Sequence, residues 1–504
     1  MNDTNNFLHL KRIGIDTHQE PVVYMRKDCH VCRSEGFDAQ TRVRIVTDHG
    51  SIIATVNMVD STILSHKEAG LSEAAWLHLK AKESEKAHFF HPRATDSLSY
   101  VRGKIYGRPF TKECTMEIIA DITHGRYSDI QLAAYVTACA GSRLSDEEIT
   151  YLTDAMVKIG DRLSWPSEIV MDKHCVGGLP GNRTTPIVVS ILTAAGLTMP
   201  KTSSRAITSP AGTADTMETM APVTLSMEQI QSIVAQEGGC MAWGGAVSLS
   251  PADDILIRVE SALDLDSEGQ LVASVLSKKI AAGSTHVLID IPIGTTAKVR
   301  SMEYAQQLSH QLIQTGAALG IHVETLFTDG NQPVGVGIGP CLEARDLLKV
   351  LRNEADAPQD LKDRALTLAG RLLEMGGKCS QGEGFAQAKK LLEQGSAWKK
   401  FHAICIAQGG FKEPDQAQYQ KAVKAENAGF VTYVNNRFIA KLAKLAGAPG
   451  SPAAGMEFHV RLGQKVDKGD VLFTLHSESK GELEYALEFL RSHPDAVRVE
   501  SEAI

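Results

Sequence analysis

Residues 171–185 read MDKHCVGGLPGNRTT. The run that leads in, from Glu168 to Asp172, has the apolar character of a buried strand and ends in charge. Glycines follow at 177, 178 and 181. The chain then opens a helix, TTPIVVSILTAAG, with Pro186 in its first turn, where a missing N–H leaves no bond unmade. Strand, glycine loop and helix start, in that order, leave free backbone N–H groups beside the positive end of a helix dipole, and that is an anion site. Lys173 adds a full charge and Thr184 a hydroxyl donor. Downstream, KTSSRAITSPAGTADTMETM (Lys201 to Met220) gathers Ser203, Ser204, Thr208, Ser209 and Thr213 around Arg205. So many hydroxyls around one arginine suit an oxyanion or a sugar; the same composition also serves a loop that caps its own helix.

DKHxxGG followed by SSRAITSPAGTADTME resembles the pyrimidine-nucleoside phosphorylase family, which includes thymidine phosphorylases and the longer AMP phosphorylases. A third stretch, TDGNQPVGVGIGPCLEARDLLKVL from Thr328 to Leu351, agrees. The similarity runs from about Ser97 to the C-terminus, and the long N-terminal extension resembles the AMP phosphorylase branch and bacterial chains described as thymidine phosphorylases. The resemblance implies a glycosyltransferase, a pentosyltransferase that breaks a C–N glycosidic bond with inorganic phosphate as co-substrate. Such chemistry needs a phosphate cradle, a hydrogen-bonded sugar and a proton donor for the departing base. It requires no metal and no cofactor.

By the same resemblance the phosphate cradle maps onto Lys173, Gly177, Gly178, Thr184, Ser203 and Thr213. Cys175 stands where thymidine phosphorylases carry serine, and a thiol is a poor donor, so that contact is weakened or moved. Ser274 and Lys278, four apart on one helix face, match the serine and lysine that read a pyrimidine ring. The arginine of that set falls at Asp253, a charge reversal that argues against ordinary thymidine recognition unless Arg258 substitutes. The AMP phosphorylase pattern matches Gly178, the run Ser204, Arg205, Ala206, Ile207, Thr208 and Ser209, then Thr213, Ser274 and Lys298, with Asp266 as proton donor. A carboxylic acid can protonate a purine nitrogen when burial or a nearby phosphate raises its pKa. Arg205 and Lys298 could pair with a 5′-phosphate. In a thymidine reading His174 leads as the donor instead.

These residues favour phosphorolysis of an AMP-like nucleoside 5′-monophosphate to free base and ribose 1,5-bisphosphate. Thymidine phosphorolysis is the alternative. A related phosphoribosyltransferase of the anthranilate type fits the SSRAITSPAGT stretch poorly, and a non-catalytic nucleotide-binding scaffold is the fourth reading.

The 504 residues suit about three or four domains. Their composition, 43% hydrophobic and 22% charged, is that of a soluble globular chain, and a net charge of −8 argues against general nucleic-acid binding. MNDTNNFLHLKR has no apolar core, so no signal peptide is expected, and no apolar run of about 18 residues suggests a membrane span. Nine scattered cysteines suit a reducing cytoplasm, and the lone Cys29-His-Val-Cys32 reads as free thiols in a surface turn.

The expected fold is multi-domain α/β. A β-rich extension (1–95) contains strand-like Pro21–Met25, Thr41–Val46 and Ser51–Val59 and a polar helical stretch from Glu68 to Ala87. A small helical lobe takes 96–166, with capping boxes at Ser128/Gln131 and Ser145/Glu148, and returns at 247–283. A larger α/β lobe with a mostly parallel sheet takes 167–246 and 284–428. A C-terminal α+β domain takes 429–504; its GQKVDKGDVLFTL resembles a biotinyl-lipoyl sandwich without the modified lysine turn. The family resemblance implies a cleft between the lobes and a homodimer or larger homo-oligomer.

Overall fold

The computed structural model describes residues 6–502 apart from Pro180, Ile207, Thr208, Ser248, Asp264 and Asp266. The chain divides into two units, residues 1–159 with 251–267, and residues 160–250 with 268–504.

In the first unit β1 (Phe7–Arg12), β2 (Val22–Arg26), β3 (Arg42–Thr47), β4 (Gly50–Val59), β5 (Glu68–Leu71) and β6 (Lys86–Phe90) close a barrel in the order β1-β5-β2-β4-β3-β6. Alternating residues such as Leu8, Leu10, Val43, Ile45 and Phe89 fill it. The stretch from Glu68 to Ala87 is therefore not one helix. Glu68-Ala-Gly-Leu71 pairs with both β1 and β2, and only α2 (Glu73–Leu79), capped by Ser72, is helical. Tertiary pairing has overridden a locally helix-tolerant sequence. Nor are Cys29 and Cys32 in a surface turn: both are buried, and Cys29 caps α1 (His30–Glu35), its sulfur accepting from the Cys32 N–H at 3.3 Å.

Four helices follow: α3 (Leu98–Ile105), α4 (Lys112–Thr123), α5 (Asp129–Cys139) and α6 (Asp146–Ile159). Both expected capping boxes form. Ser128 and Ser145 each accept from the third helical N–H, while Gln131 and Glu148 accept the cap N–H. Ile149, Leu152 and Met156 face the core of this bundle.

The second unit starts at β7 (Met171–Cys175) and alternates strand with helix: α7 (Thr185–Ala194), β8 (Met199–Ser203), α8 (Thr213–Glu218), α9 (Met227–Glu237) and β9 (Gly239–Trp243). Here the chain crosses over. The helix α10 (Pro251–Leu263) belongs to the first unit, whereas α11 (Glu268–Ala281) belongs to the second. The segment 247–283 is thus divided between the units and does not return whole to the helical bundle. Then come β10 (His286–Ile293), α12 (Met302–Ala318) and β11 (His322–Asp329). The strands β7, β10 and β11 run parallel in the order β11-β10-β7, β8 and β9 form a second parallel pair, and a Val170–Thr198 bridge joins the two sets. This puts the carboxyl ends of β7 and β8, with their loops, side by side.

β12 (Gly337–Ile338), α13 (Pro340–Leu351), α14 (Gln359–Met375), α15 (Gly384–Glu393) and α16 (Ser396–Ala407) complete the α/β core, dominated by α7, α13, α14 and α16 side chains. The terminal region contains β13 (Tyr419–Lys424), β14 (Gly429–Val434), α17 (Asn436–Leu445), β15 (Gly455–Phe458), β16 (Lys465–Val466), β17 (Val471–Ser477), α18 (Lys480–Ser492) and β18 (Val497–Glu500). Because β13 pairs with β17, the terminal sheet begins ten residues before Gly429, and β12 of the preceding segment joins it through β15.

Candidate active site

The glycine loop leaves β7 after Cys175. Gly177 takes a φ of +102°, which an L side chain rarely adopts, and the Gly181 N–H closes the turn onto the Gly178 carbonyl. The glycines are also needed for space. A Cβ on Gly177 would lie 3.2 Å from Lys298 Cβ, and one on Gly178 would lie 2.6 Å from Ser209 Cβ. Lys298 and Ser209, remote in sequence, therefore pack directly on the loop.

Beneath it, Lys173 is wholly buried and its Nζ donates to Thr184 Oγ1 at 2.7 Å, leaving two of its three protons for other acceptors. The Ser203 hydroxyl at the end of β8 is buried and has no hydrogen-bond partner among the described residues. An oxyanion would satisfy it. Thr213 opens α8, where Asp215 accepts from the N–H groups of Gly212 at 2.9 Å and Ala206 at 2.6 Å, fixing the hydroxyl-rich loop. Ser204 lends its carbonyl to the Ala214 N–H, and the Ser209 hydroxyl donates to the Ala211 carbonyl. Ile207, Thr208 and Asp266 lie outside the described residues.

The charge around β7 exceeds what the motif alone suggests. Asp172, 1% exposed, accepts from Lys201 on β8 and from Lys279 on α11, each at 2.9 Å. One carboxylate thus ties together the strand of Lys173 and His174, the strand of Ser203 and the helix of Ser274 and Lys278. None of these three charges was singled out from sequence. The available signal was Asp172 at the end of a run read as a buried strand, where an ionised group demands a partner.

Burial, with Lys279, Lys201, Lys173 and Lys278 nearby, holds the His174 pKa well below the usual imidazole value. His174 is therefore a neutral imidazole near pH 7, and its proton-donor role would first require an anion to offset those lysines. Lys279 is itself pushed down to about 7, by burial and by Lys201, against the pull of Asp172. The Cys175 thiol is buried beside Asp290 and Gly181, and burial pushes its pKa up, so it sits under the loop as a neutral group.

Arg205 is more heavily engaged than the sequence suggests. It donates to both oxygens of Glu218 at 2.5 and 2.8 Å and to Asp215 at 3.2 Å, and its guanidinium lies 4.7 Å from the Trp243 ring centroid. A phosphate reaching Arg205 must displace Glu218. On α11, Ser274 and Lys278 are partly exposed. In the first unit Asp253 is buried on α10, and Arg258, the residue that could have replaced the missing arginine, is bidentate to Asp129 at 2.6 and 2.8 Å.

Among the described residues no group of three or more His, Cys, Asp or Glu side chains is placed to hold a metal, and no helix is long and apolar enough to cross a membrane.

Comparison with known proteins agrees with this arrangement along most of the chain. Residues 98–160 match the helical bundle domain of the glycosyl transferase family, 167–398 its a/b domain, and 430–494 the pyrimidine nucleoside phosphorylase C-terminal domain. A Hahella chejuensis protein named "Putative thymidine phosphorylase" is 66% identical over 99% of both chains. One of the same name from Polaromonas is 58% identical over 99% of this chain and 98% of its own. Anthranilate phosphoribosyltransferase from Thermus thermophilus shares the fold, with a TM-score of 0.51 and 19% identity over 61% of this chain and 98% of its own. The chain therefore belongs to the thymidine and pyrimidine-nucleoside phosphorylase family of pentosyltransferase enzymes.

Proposed function

We propose that this enzyme cleaves nucleoside 5′-monophosphates, AMP foremost, with inorganic phosphate, releasing free base and ribose 1,5-bisphosphate. The observation that carries the reading is the close approach of Lys298 to Gly177, at its Cβ, which roots a second lysine beside a loop that follows Lys173. Two cations on one loop suit a substrate that brings a phosphate of its own in addition to the nucleophile. Asp253 and the engaged Arg258 support the same reading, because the guanidinium that would read a pyrimidine dione is missing from one position and paired at the other.

In this scheme Lys173, Thr184, Ser203 and Thr213 hold the attacking phosphate, the glycosidic bond opens through an oxocarbenium-like state, and the base departs with a proton. A neutral His174 is a weak acid for that step, so the role falls to Asp266. Phosphate is a co-substrate, and the scheme calls for no metal or other cofactor. We propose a homodimer or larger assembly in the cytoplasm; nine free cysteines suit its reducing environment.

Thymidine phosphorolysis is the second reading, favoured by the relatives' names and the C-terminal domain match. There the incoming phosphate would charge His174, which then protonates the base. Base release from AMP, CMP, UMP, thymidine and uridine, followed by chromatography with and without phosphate, separates the two. Phosphate-dependent release from a monophosphate and not from thymidine is expected. Release from thymidine alone would overturn the nucleotide reading.

A further inference from the structure

Gln270, Ser274 and Lys278 recur at intervals of four along α11, so they rise on one face in successive turns. Ser274 and Lys278 are partly open, while Gln270 is 3% exposed. Neither end of its carboxamide, Oε1 nor Nε2, has a hydrogen-bond partner among the described residues. The neighbouring Ser277 on that side is satisfied, its hydroxyl lying 3.2 Å from that of Ser250. A buried amide with both ends unmatched is costly, and natural proteins keep one where something else completes it. Gln270 stands in the first turn of α11, next in sequence to the segment that carries Asp266, and helical side chains lean toward the N-terminus.

We infer that Gln270 reads the leaving base. Its carboxamide offers a donor and an acceptor side by side. It pairs with a base edge that presents the complement, as the 6-amino group and an adjacent ring nitrogen of adenine do. Ser274 and Lys278, which the family resemblance assigns to the substrate, extend the same stripe. The inference deepens the nucleotide reading and rests on it for the identity of the base; the orphaned amide itself does not depend on it.

The test pairs Gln270→Met with a substrate lacking the 6-amino group, purine riboside 5′-monophosphate. The native enzyme should prefer AMP over the analogue by roughly tenfold or more in kcat/KM, the discrimination of a site built to hydrogen-bond its substrate. In Gln270→Met that preference should collapse to about threefold or less, with most of the loss on AMP. Thermal unfolding of the variant should be unchanged or shifted upward, since an unmatched amide is replaced by an apolar group of similar size. A fall in Tm of more than about 5 °C would mean the amide has a structural partner, such as a buried water, and would overturn the inference. An unchanged preference for AMP would also overturn it. Should the substrate panel return a pyrimidine nucleoside, the nucleotide reading falls. The same cycle, run with an analogue lacking the 4-substituent, then decides the role of Gln270, alongside the melting experiment.

Discussion

Two charge clusters flank the loop end of the α/β sheet, and they are built differently. Asp172, Lys201 and Lys279 are each below 5% exposed and join three elements of the core. Arg205, Glu218 and Asp215 form an equally dense set, yet Arg205 and Glu218 have side chains 36% and 45% exposed and one face against Trp243. The first cluster cannot rearrange without stranding a charge in the protein interior. In the second the Arg205–Glu218 pair is partly exposed, and an ion pair in that setting is worth little. Buried ions thus fix where Lys173, Ser203 and Lys278 stand, whereas Arg205 is held by a partly exposed pair.

The largest expected effect breaks the scaffold. Asp172→Asn removes the buried carboxylate that Lys201 and Lys279 share and should lower stability by about 3–5 kcal/mol, read by denaturant or thermal unfolding. An unchanged melting curve would show that the buried cluster ties nothing together. Next is Lys173→Met, which removes the cation proposed to hold the attacking phosphate and should lower kcat/KM by on the order of 10²–10³-fold. The contrast with Asp172→Asn is informative because, among the described residues, the hydrogen-bond partner of Lys173 Nζ is the Thr184 hydroxyl and not a carboxylate, so its loss should fall on activity more than on stability.

A smaller effect follows from pH. Lys279 has its folded pKa lowered to about 7, so it is charged below that value and neutral above it. Asp172 and Lys201 are the charged groups that face it. Anion affinity should therefore weaken as pH rises through about 7. Sulfate, a dianion across this range, isolates the protein's contribution when its binding is followed by calorimetry from pH 6 to 8.5. Sulfate affinity that strengthens over that interval would contradict the assignment.

The smallest effect belongs to the exposed pair. Glu218→Gln should change stability by no more than about 1 kcal/mol. It should release Arg205 and lower KM for the nucleotide severalfold, without lowering KM for an unphosphorylated nucleoside. Equal changes for both substrates would mean that Arg205 does not meet the 5′-phosphate.

Local signals in the sequence were read well where one side chain decides the outcome. Ser128 with Gln131, Ser145 with Glu148 and Pro186 in a first turn each carry their own geometry. The run into Asp172 was visible as a strand, and the mostly parallel sheet expected of its lobe is there in β7, β10 and β11. The barrel was only half visible. Phe7–Arg12 and Glu68–Leu71 become strands through pairing with partners about sixty residues apart, and a short window cannot register that. In the site, motif residues such as Lys173, Gly177 and Ser203 were legible because glycine and hydroxyl chemistry is local. The charges that hold them were not, because Lys201 and Lys279 acquire meaning only when folding brings both to Asp172. Arg205 was legible as a ligand candidate, but its engagement with Glu218 was not. Gln270 gave no signal at all, since an unmatched amide is a property of the fold.

The central claim is that the phosphate-loaded enzyme acts on a nucleotide. Phosphorus NMR of the enzyme with AMP and inorganic phosphate tests it directly. The account predicts that the inorganic phosphate signal declines as two new resonances of equal area grow, those of ribose 1,5-bisphosphate, with free adenine released in step. An unchanged phosphate signal with AMP, under conditions where thymidine is consumed, would contradict it.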